Sequence, residues 1–458
     1  MRRLLRGLLV CALPIAAACS GERGSPRPSI LLITLDTARA DRLSVMGYDR
    51  PTTPRLDALA ATGVLFRHAV AQAALTPVSH ASILTGLWPP HHGVRVLYAG
   101  SGFSLPEEVP TLATVLRREG YRTAAFLSAF PVSEFFGLQR GFDHFDNGID
   151  GDPTGILGPA EDGAWRFDTA ANQRRSDATT AAVLEWVDGS AGALDPLFMW
   201  VHYWDPHDPW LQPPAEELRG WVDADPAQRA TWLRQVYDAE MHYMDAQIGR
   251  LFDGLAAAGL AEGTVVVVVS DHGEGLGEHN HWFHRILYEE QLHVPLILRI
   301  PGGPGGLAID AQVRTVDILP TLLELAGATA VDADGESLLP LLAPGAPQLP
   351  RPAYAEALIA YDLNAVHLVR ARPDDAVLHA WSDGRYKLIH KPLRPERGEL
   401  YDLLEDPDEA VNLFGTQRDV VRRLLAEMET IGPYVDRDFG AGNDPEVIER
   451  LRSLGYVE

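Results

Sequence analysis

Residues 263–284, GTVVVVVSDHGEGLGEHNHWFH, place an apolar run directly before a series of acidic and histidine side chains. Five consecutive valines are typical of a strand that is buried on both faces of a sheet. Such strands occur in parallel sheets covered by helices, where sites form at the carboxyl ends of the strands. The stretch therefore predicts a buried strand whose end, from Asp271 onward, carries metal-type or acid/base side chains.

Strand-length apolar runs alternate with helical patterns along much of the chain. SILLITL (29–35) runs into Asp36, and PLFMWVHYW (196–204) runs into Asp205 and His207. The alternation predicts an α/β fold: a large, mostly parallel mixed sheet sandwiched by helices. Because three strand ends carry metal-type or acid/base side chains, we expect a site at their shared edge.

The last quarter of the chain has a different pattern. A Pro/Gly/Leu-rich linker at 337–352 precedes AVLHAWSDGRYKLIHKP (376–392), which predicts a hairpin turning at Asp383-Gly384. A helical pattern follows at 418–432. We therefore assign residues 29–346 to a catalytic domain and 347–458 to a smaller α+β C-terminal subdomain. The Gly/Asp/Pro-rich insertion 148–165 is a candidate active-site lid.

The N-terminus predicts export. Residues 1–18 contain three arginines, an apolar run and three alanines directly before Cys19, and Ala16-Ala17-Ala18-Cys19 resembles the lipobox of bacterial lipoproteins. That resemblance implies lipid attachment at Cys19, with 19–28 as a tether. An ordinary secretory signal that leaves an unmodified thiol is the alternative. Both interpretations place the protein outside the cytoplasm, and we expect the periplasmic side of a bacterial cell envelope.

The amino-acid composition argues against several classes of binding partner and covalent cross-link. The chain has 63 acidic and 39 basic residues, a net charge of −24, which argues against a nucleic-acid-binding surface. Its two cysteines, Cys11 and Cys19, both lie near the signal, so no disulfide is expected in the mature fold. After the signal, no apolar run approaches the roughly 20 residues of a membrane span, so any membrane attachment is expected through the N-terminal lipid alone.

Residues 73–86, AALTPVSHASILTG, place Thr76 before a proline at a predicted helix start, where anions bind. Most threonines in this position only cap a helix. A divalent cation held by Asp36, Asp271 and His272 would instead make the hydroxyl a competent nucleophile, because the ion lowers its pKa. The oxygen and nitrogen ligands suit Zn²⁺ or Mn²⁺.

Together these motifs resemble the sulfatase-like branch of the alkaline phosphatase superfamily. The resemblance is carried by LLITLDTARADRL, TPVSHASILTG, DPHDPW, SDHGEGLGEH, LYEEQLHVPLIL, TVDILPTLLELAG and ELYDLLEDPDEAVNL. Formylglycine sulfatases carry the motif C-x-P-S-R, followed by any five residues and a glycine. When this motif is aligned on Gly86, Thr76 takes the place of the cysteine and His80 that of the arginine. Threonine cannot yield the formylglycine aldehyde. Because the proline is shifted by one place, Ser79 is the alternative nucleophile.

The resemblance also implies how the remaining side chains are used. Thr76 would join the three ligands at a first metal, and His207 and His284 would meet phosphoryl oxygens or a second metal. One or two ions are thus expected, with Ca²⁺ open because that branch uses it. The second metal or the substrate could also be contacted by Asp205, His279 or His80, while Arg39 and Glu274 would lie behind the ligands. Asp41 would be a further metal ligand, with a helix cap or a salt bridge to Arg39 as the alternatives. For Asp205 the alternative is a turn-forming Asp-Pro, and for His279 and His281 it is a role as surface histidines in a turn.

These expectations define an exported, metal-dependent hydrolase that cleaves phosphate mono- or diesters through a threonine nucleophile. Similar threonine nucleophiles occur in nucleotide pyrophosphatase/phosphodiesterases and in lipid A phosphoethanolamine transferases. The sulfate-binding lysine pair of formylglycine sulfatases has no obvious counterpart, since the chain's only lysines are Lys387 and Lys391 in the C-terminal hairpin. The substrate would be a small-molecule, glycan or lipid phosphate or sulfate ester. Sulfuric ester hydrolase, phosphoethanolamine-type transferase and non-catalytic binding lipoprotein are the alternatives, and no oligomeric state is predicted.

Replacing Cys19 by Ser tests the predicted anchor. Cys19→Ser should abolish labelling by a fatty-acid probe and release soluble protein, because the lipid is attached to the thiol. Labelling and membrane fractionation in a bacterial host measure both effects. Unchanged labelling of the variant would contradict the lipid anchor.

Overall fold

The computed structural model describes residues 27–97, 99, 101–148, 156–159, 165–167, 173–190, 196–207, 211–362 and 365–431. Cys19, the expected signal and nearly all of the tether lie outside the described residues. So do most of the candidate lid at 148–165 and the end of the C-terminal subdomain from 432 onward.

Sixteen strands and eleven α-helices make up the described fold. The strands are β1 (Ser29–Leu35), β2 (Val64–Val70), β3 (Arg122–Phe126), β4 (His144–Asp146), β5 (Ile156–Pro159), β6 (Trp165–Phe167), β7 (Leu197–Tyr203), β8 (Thr264–Ser270), β9 (Gly275–Leu276), β10 (Trp282–Phe283), β11 (His293–Arg299), β12 (Leu307–Arg314), β13 (Ala353–Ala357), β14 (Leu378–Ser382), β15 (Tyr386–His390) and β16 (Glu399–Asp402). The helices are α1 (Pro54–Thr62), α2 (Thr76–Thr85), α3 (Pro89–His92), α4 (Leu112–Arg118), α5 (Ser176–Gly189), α6 (Ala215–Trp221), α7 (Arg229–Ala257), α8 (Glu289–Leu292), α9 (Ile318–Ala326), α10 (Val366–Ala371) and α11 (Arg418–Met428).

An eight-stranded sheet organises the molecule in the order β12-β2-β11-β8-β1-β7-β3-β4. Strand β11 runs antiparallel to both of its neighbours, and the other strands of the sheet run in one direction. The predicted large, mostly parallel mixed sheet is therefore confirmed. Strands β1 and β8 lie side by side at its centre, and their uninterrupted apolar sequences fit burial on both faces.

Helices cover both faces of this sheet, because successive side chains of a strand point to opposite faces. On β1, Ile30 and Leu32 join a core that includes residues of α2, α4 and α9. Leu31 and Ile33 join a second core, which includes residues of α1, α5 and α7. None of the described helices combines the length and apolar composition of a membrane span.

A four-stranded antiparallel sheet, β13-β14-β15-β16, forms the C-terminal part. Strands β14 and β15 form the predicted hairpin around Asp383-Gly384, and α11 occupies the predicted helical stretch. Leu424 and Met428 of α11 cover one face of the sheet. Residues of the other face belong to the same core as β1, so the two sheets share a hydrophobic core.

Candidate active site

The candidate site lies at the carboxyl ends of β1 and β8, the two central strands. Their parallel register pairs Leu35 with Ser270, so Asp36 and Asp271 follow at equivalent positions on neighbouring strands. The Asp271 N–H donates to the carbonyl of Leu35 at 3.1 Å, which continues the ladder past the strand end. Asp36, Asp271 and His272 are all fully buried. The sheet thus places two carboxylates and an imidazole together inside the protein.

These three side chains, here called the triad, have the geometry of a metal site. One ligand atom from each lies within 4.8 Å of the others. Oδ1 of Asp271 accepts hydrogen bonds from the N–H groups of Thr37 at 3.1 Å and His272 at 2.7 Å. Among the described residues, Oδ2 of Asp271 has no hydrogen-bond partner. One oxygen is therefore held by the backbone, while the other is available to a cation.

The tautomer of His272 supports the same conclusion. Nδ1 lies 3.0 Å from the carbonyl of Gly273 and must donate to it, so Nε2 carries the lone pair. That nitrogen faces Oδ2 of Asp271 at 3.4 Å. Two buried acceptors in contact repel each other unless a cation or proton lies between them. The residues therefore fit the divalent metal that the sequence predicts.

Burial sets the charge of these groups. It lowers the pKa of His272 to about 3, so the imidazole is neutral at physiological pH and can bind a cation. Burial also raises the pKa of Asp271 well above its usual range, partly offset by its backbone hydrogen bonds. A divalent cation stabilises the ionised carboxylate and opposes this effect.

Thr76 is the first residue of α2, and Leu75 occupies the N-cap position without a side-chain capping bond. Oγ1 of Thr76 is nearly buried and lies 3.4 Å from Nε2 of His272. The hydroxyl therefore adjoins the triad. Ser79 lies one turn further along α2, and its hydroxyl donates to the carbonyl of Asp271 at 2.6 Å.

His80 lies behind Thr76 on the same helix. Its Nδ1 donates to the carbonyl of Thr76 at 2.8 Å and lies 3.5 Å from Oδ2 of Asp271. Burial lowers the pKa of His80 to about 4, so its ring is neutral. This side chain supports the nucleophile's backbone and contacts the triad from within the protein.

His207 and His284 form a histidine pair beside the triad. Their Nε2 atoms lie 3.2 Å apart, and Nδ1 of His284 donates to the carbonyl of Ala74 at 3.0 Å. The His284 ring lies 4.6 Å from the His272 ring between centroids. Trp204 stacks on His207 at 3.9 Å. The structure therefore brings both predicted histidines to the site.

Two other predicted residues have partners elsewhere. The carboxylate of Asp205 accepts hydrogen bonds from the N–H and hydroxyl of Ser176, at 3.0 and 3.2 Å, and so holds the start of α5. Burial raises the pKa of Asp205 to about 7. His279 contacts Glu290 at 3.0 Å and stacks on Tyr288 at 3.7 Å. Neither side chain belongs to the triad.

Arg39 and Glu274 lie behind the triad, next to the turn after β8. The guanidinium of Arg39 holds both carboxylate oxygens of Asp41, at 2.8 and 2.7 Å. It also donates to the carbonyl of Glu274 at 2.9 Å. Asp41 thus takes part in the salt bridge that the sequence offered as an alternative, and Arg39 ties the two strand ends together.

His202 is a site residue that the motif reasoning did not identify. It lies fully buried in β7, and its Nε2 donates to Oδ2 of Asp36 at 3.2 Å. Burial lowers the pKa of His202 well below its usual range, so it orients Asp36 as a neutral donor. A histidine inside an otherwise apolar strand, three residues before Asp205, was the available signal.

Comparison with known proteins agrees with this arrangement. A family model described as Sulfatase matches residues 28–328. The chain belongs to the sulfatase family. A model described as N-sulphoglucosamine sulphohydrolase, C-terminal, matches residues 277–432, which include the small sheet of this sulfatase-family chain.

Several relatives align over most of the chain. An arylsulfatase of Clostridium perfringens is 26% identical, over 87% of this chain and 94% of the relative. A multifunctional alkaline phosphatase superfamily protein, PehA of Trinickia caryophylli, is 27% identical, over 85% of this chain and 91% of its own. The phosphonate monoester hydrolase of Agrobacterium radiobacter has the same fold, with a TM-score of 0.67 and 23% identity over 88% of this chain and 95% of its own. The motif resemblance and the alkaline phosphatase-like fold are therefore confirmed.

Removing a triad ligand should remove the metal. Asp271→Asn and His272→Ala should each reduce bound metal to well below one equivalent, because each variant loses a buried ligand. Elemental analysis of purified protein measures the content. Asp41→Asn is the matched control and should retain metal, since Arg39 holds that carboxylate. Full metal content in both triad variants would contradict the site.

His202 should affect metal affinity through Asp36. His202→Leu should weaken the affinity by about 10- to 100-fold, as is usual for a residue that orients a ligand. His202→Gln should recover part of the loss, because its amide can still donate to Asp36. Competition with a fluorescent chelator measures the dissociation constants. Equal affinities in wild type and His202→Leu would show that His202 only fills space.

Proposed function

We propose that the chain is a metal-dependent hydrolase of phosphate mono- and diesters that uses Thr76 as its nucleophile. The observation that carries this proposal is the buried hydroxyl of Thr76, 3.4 Å from the lone-pair nitrogen of His272. That nitrogen, Asp36 and Asp271 form a set of ligands with two oxygens and one nitrogen. A threonine that only caps a helix would not need two buried carboxylates and an imidazole beside its hydroxyl.

A divalent cation held by the triad would lower the pKa of the Thr76 hydroxyl and polarise the ester. Thr76 also begins α2, so the partial positive charge of the helix N-terminus favours an anionic phosphoryl group beside it. The Thr76 oxygen attacks phosphorus, an Oγ1–P bond forms, and the bond from phosphorus to the leaving oxygen breaks. Water then hydrolyses the phosphothreonine, which releases phosphate or a phosphate monoester and restores the hydroxyl.

The histidine pair supplies a proton for the leaving group. Nδ1 of His284 is held by the carbonyl of Ala74, so its Nε2 carries a lone pair directed at Nε2 of His207. The pair therefore shares a proton between two nitrogens 3.2 Å apart. The proton of the Thr76 hydroxyl would pass to the pair as the pair gives its shared proton to the departing alkoxide. In the second step the pair would take a proton from the attacking water and return one to Thr76.

Two features favour phosphate over sulfate. Threonine cannot be converted to the formylglycine aldehyde, and both lysines of the chain are engaged in ion pairs. Lys387 contacts Glu289 and Glu409, both at 2.8 Å, and Lys391 contacts Asp375 and Glu399. Their charges are thus balanced by carboxylates. The phosphonate monoester hydrolase among the structural neighbours is consistent with phosphorus chemistry on this fold.

Sulfate esters are the second candidate substrates. The arylsulfatase relative, and a choline-sulfatase of Rhizobium meliloti that is 26% identical over 86% of this chain and 83% of its own, favour this alternative. Export with a lipid anchor at Cys19 remains part of the proposal and rests on residues 1–18. The substrate would then be an ester that reaches the cell envelope.

Replacing Thr76 separates the nucleophile from a structural role. Thr76→Ala should lower turnover of 4-nitrophenyl phosphate mono- and diesters by roughly three orders of magnitude or more. Its free energy of unfolding should change by no more than about 1 kcal/mol, because the hydroxyl makes no capping bond. Thr76→Ser should retain partial activity, since a primary hydroxyl can still attack. Initial rates and thermal unfolding measure the two effects.

Ser79→Ala is the matched control on the same helix. It should retain activity and lose about 1 kcal/mol of stability, because it removes the hydrogen bond to the carbonyl of Asp271. Wild-type turnover in Thr76→Ala, together with an inactive Ser79→Ala, would assign the nucleophile to Ser79 instead.

A further inference from the structure

A cavity near the amino-terminal ends of β1 and β8 plays no part in the proposed mechanism. It lies between α1, α7 and the large sheet, and its volume is about 230 Å³. Leu31 of β1 and Val266 of β8 line it from the sheet, and Leu59 and Phe252 line it from the two helices. The triad follows the carboxyl ends of the same two strands, so this cavity is a separate space.

The cavity interrupts the hydrophobic core on this face of the sheet. Four buried residues of that core line it: Leu31, Leu59, Leu255 and Val266. Protein interiors are usually closely packed, and side chains beside an empty space lose dispersion contacts. An apolar cavity of about 150 Å³ can bind benzene, so the larger space here has room for an apolar group of roughly eight carbons.

Arg299, the last residue of β11, brings a positive charge to the cavity wall. Its Nη2 donates to the carbonyls of Ala261 at 2.8 Å and Thr264 at 3.0 Å, which holds the guanidinium in place. Burial lowers the pKa of Arg299, and no carboxylate among the described residues offsets this effect. Because an arginine stays protonated in proteins, its charge here lacks a counter-ion.

The remaining nitrogens of this guanidinium are unpaired within the described part of the chain. Nε is buried without a partner, whereas Nη1 is not closed to solvent and also has no hydrogen-bond partner there. Three other arginines differ, because each binds both oxygens of a carboxylate: Arg39, Arg95 and Arg175. Nη1 of Arg299 can therefore meet an anionic group that enters the cavity.

The charged side chains that line the cavity have a positive sum. They are Arg299, Arg55 of α1 and Asp253 of α7. Arg55 and Asp253 are exposed, so a ligand can enter beside them, and their charged atoms lie 4.0 Å apart, where they interact weakly. Two arginines and one aspartate leave one positive charge, in a chain whose net charge is −24. A ligand with a single negative charge complements this lining.

We propose that the cavity binds a small organic acid with one carboxylate and an apolar body of roughly eight carbons. The carboxylate pairs with Nη1 of Arg299, and the apolar body lies against Leu31, Leu59 and Phe252. The site lies away from Thr76 and the triad, so this inference does not rest on the proposed function.

Octanoate and octanamide test the proposal, because they share an apolar chain and differ in charge. Titration calorimetry of the full chain with octanoate should show saturable binding at one site. Octanamide should bind about 10- to 100-fold more weakly, the range expected when one charged hydrogen-bonding interaction is lost. The measurement needs no turnover.

Arg299→Gln should reduce the preference for octanoate to about one, because the charge and the Nη1 donors are lost. Ala58→Leu should abolish binding of both compounds, since Ala58 of α1 lines the cavity and a leucine there occupies it. Ala61→Leu is the matched control on the same helix. Ala61 is exposed and does not belong to the cavity lining, so this variant should bind octanoate like wild type. Thermal unfolding shows that each variant is folded.

Four results would overturn the proposal. Wild type might not bind octanoate, or it might bind octanamide equally well, which would indicate a neutral occupant. Binding of octanoate at wild-type affinity in Ala58→Leu would place the ligand elsewhere, and an unchanged preference in Arg299→Gln would remove the role of that arginine. The proposed hydrolase activity stands or falls on Thr76 in every case.

Discussion

The site depends on burying two carboxylates at the ends of adjacent parallel strands. Asp36 and Asp271 are fully buried, and the register of β1 and β8 fixes them next to each other. Two buried like charges repel and are costly to desolvate, so the fold must supply donors, a cation or a proton. The surrounding backbone and histidines are arranged to meet this requirement.

The loops that follow β1 and β8 supply hydrogen-bond donors to these carboxylates. Thr37 has a φ of +53°, an unusual conformation for a β-branched residue, and its N–H reaches Oδ1 of Asp271. The next N–H, of Ala38, donates to the hydroxyl of Ser270 at 2.9 Å. His202 donates to Asp36 from the other neighbouring strand. Strain in one loop is thus offset by hydrogen bonds that hold the carboxylates in position.

The C-terminal sheet supports the same region through buried ion pairs. Lys387 of β15 is bound to Glu289, the first residue of α8, and to Glu409. The N–H of Glu289 also donates to Glu409 at 2.7 Å. Helix α8 follows the segment that carries His284, so the small sheet fixes the polypeptide behind the histidine pair. Lys387 therefore stabilises the fold behind the site.

The sequence alone determined the α/β class, a buried valine strand, the C-terminal hairpin and the candidate residues Asp36, Thr76, Asp271 and His272, to which the family resemblance added His207 and His284. It could do so because apolar periodicity and strand-end chemistry are local signals. Only the tertiary structure shows that Asp205 binds Ser176 and that His279 binds Glu290 away from the triad. It also shows that His202 donates to Asp36. Each of these depends on which distant residue lies within hydrogen-bonding distance, and that is set by strand order and register.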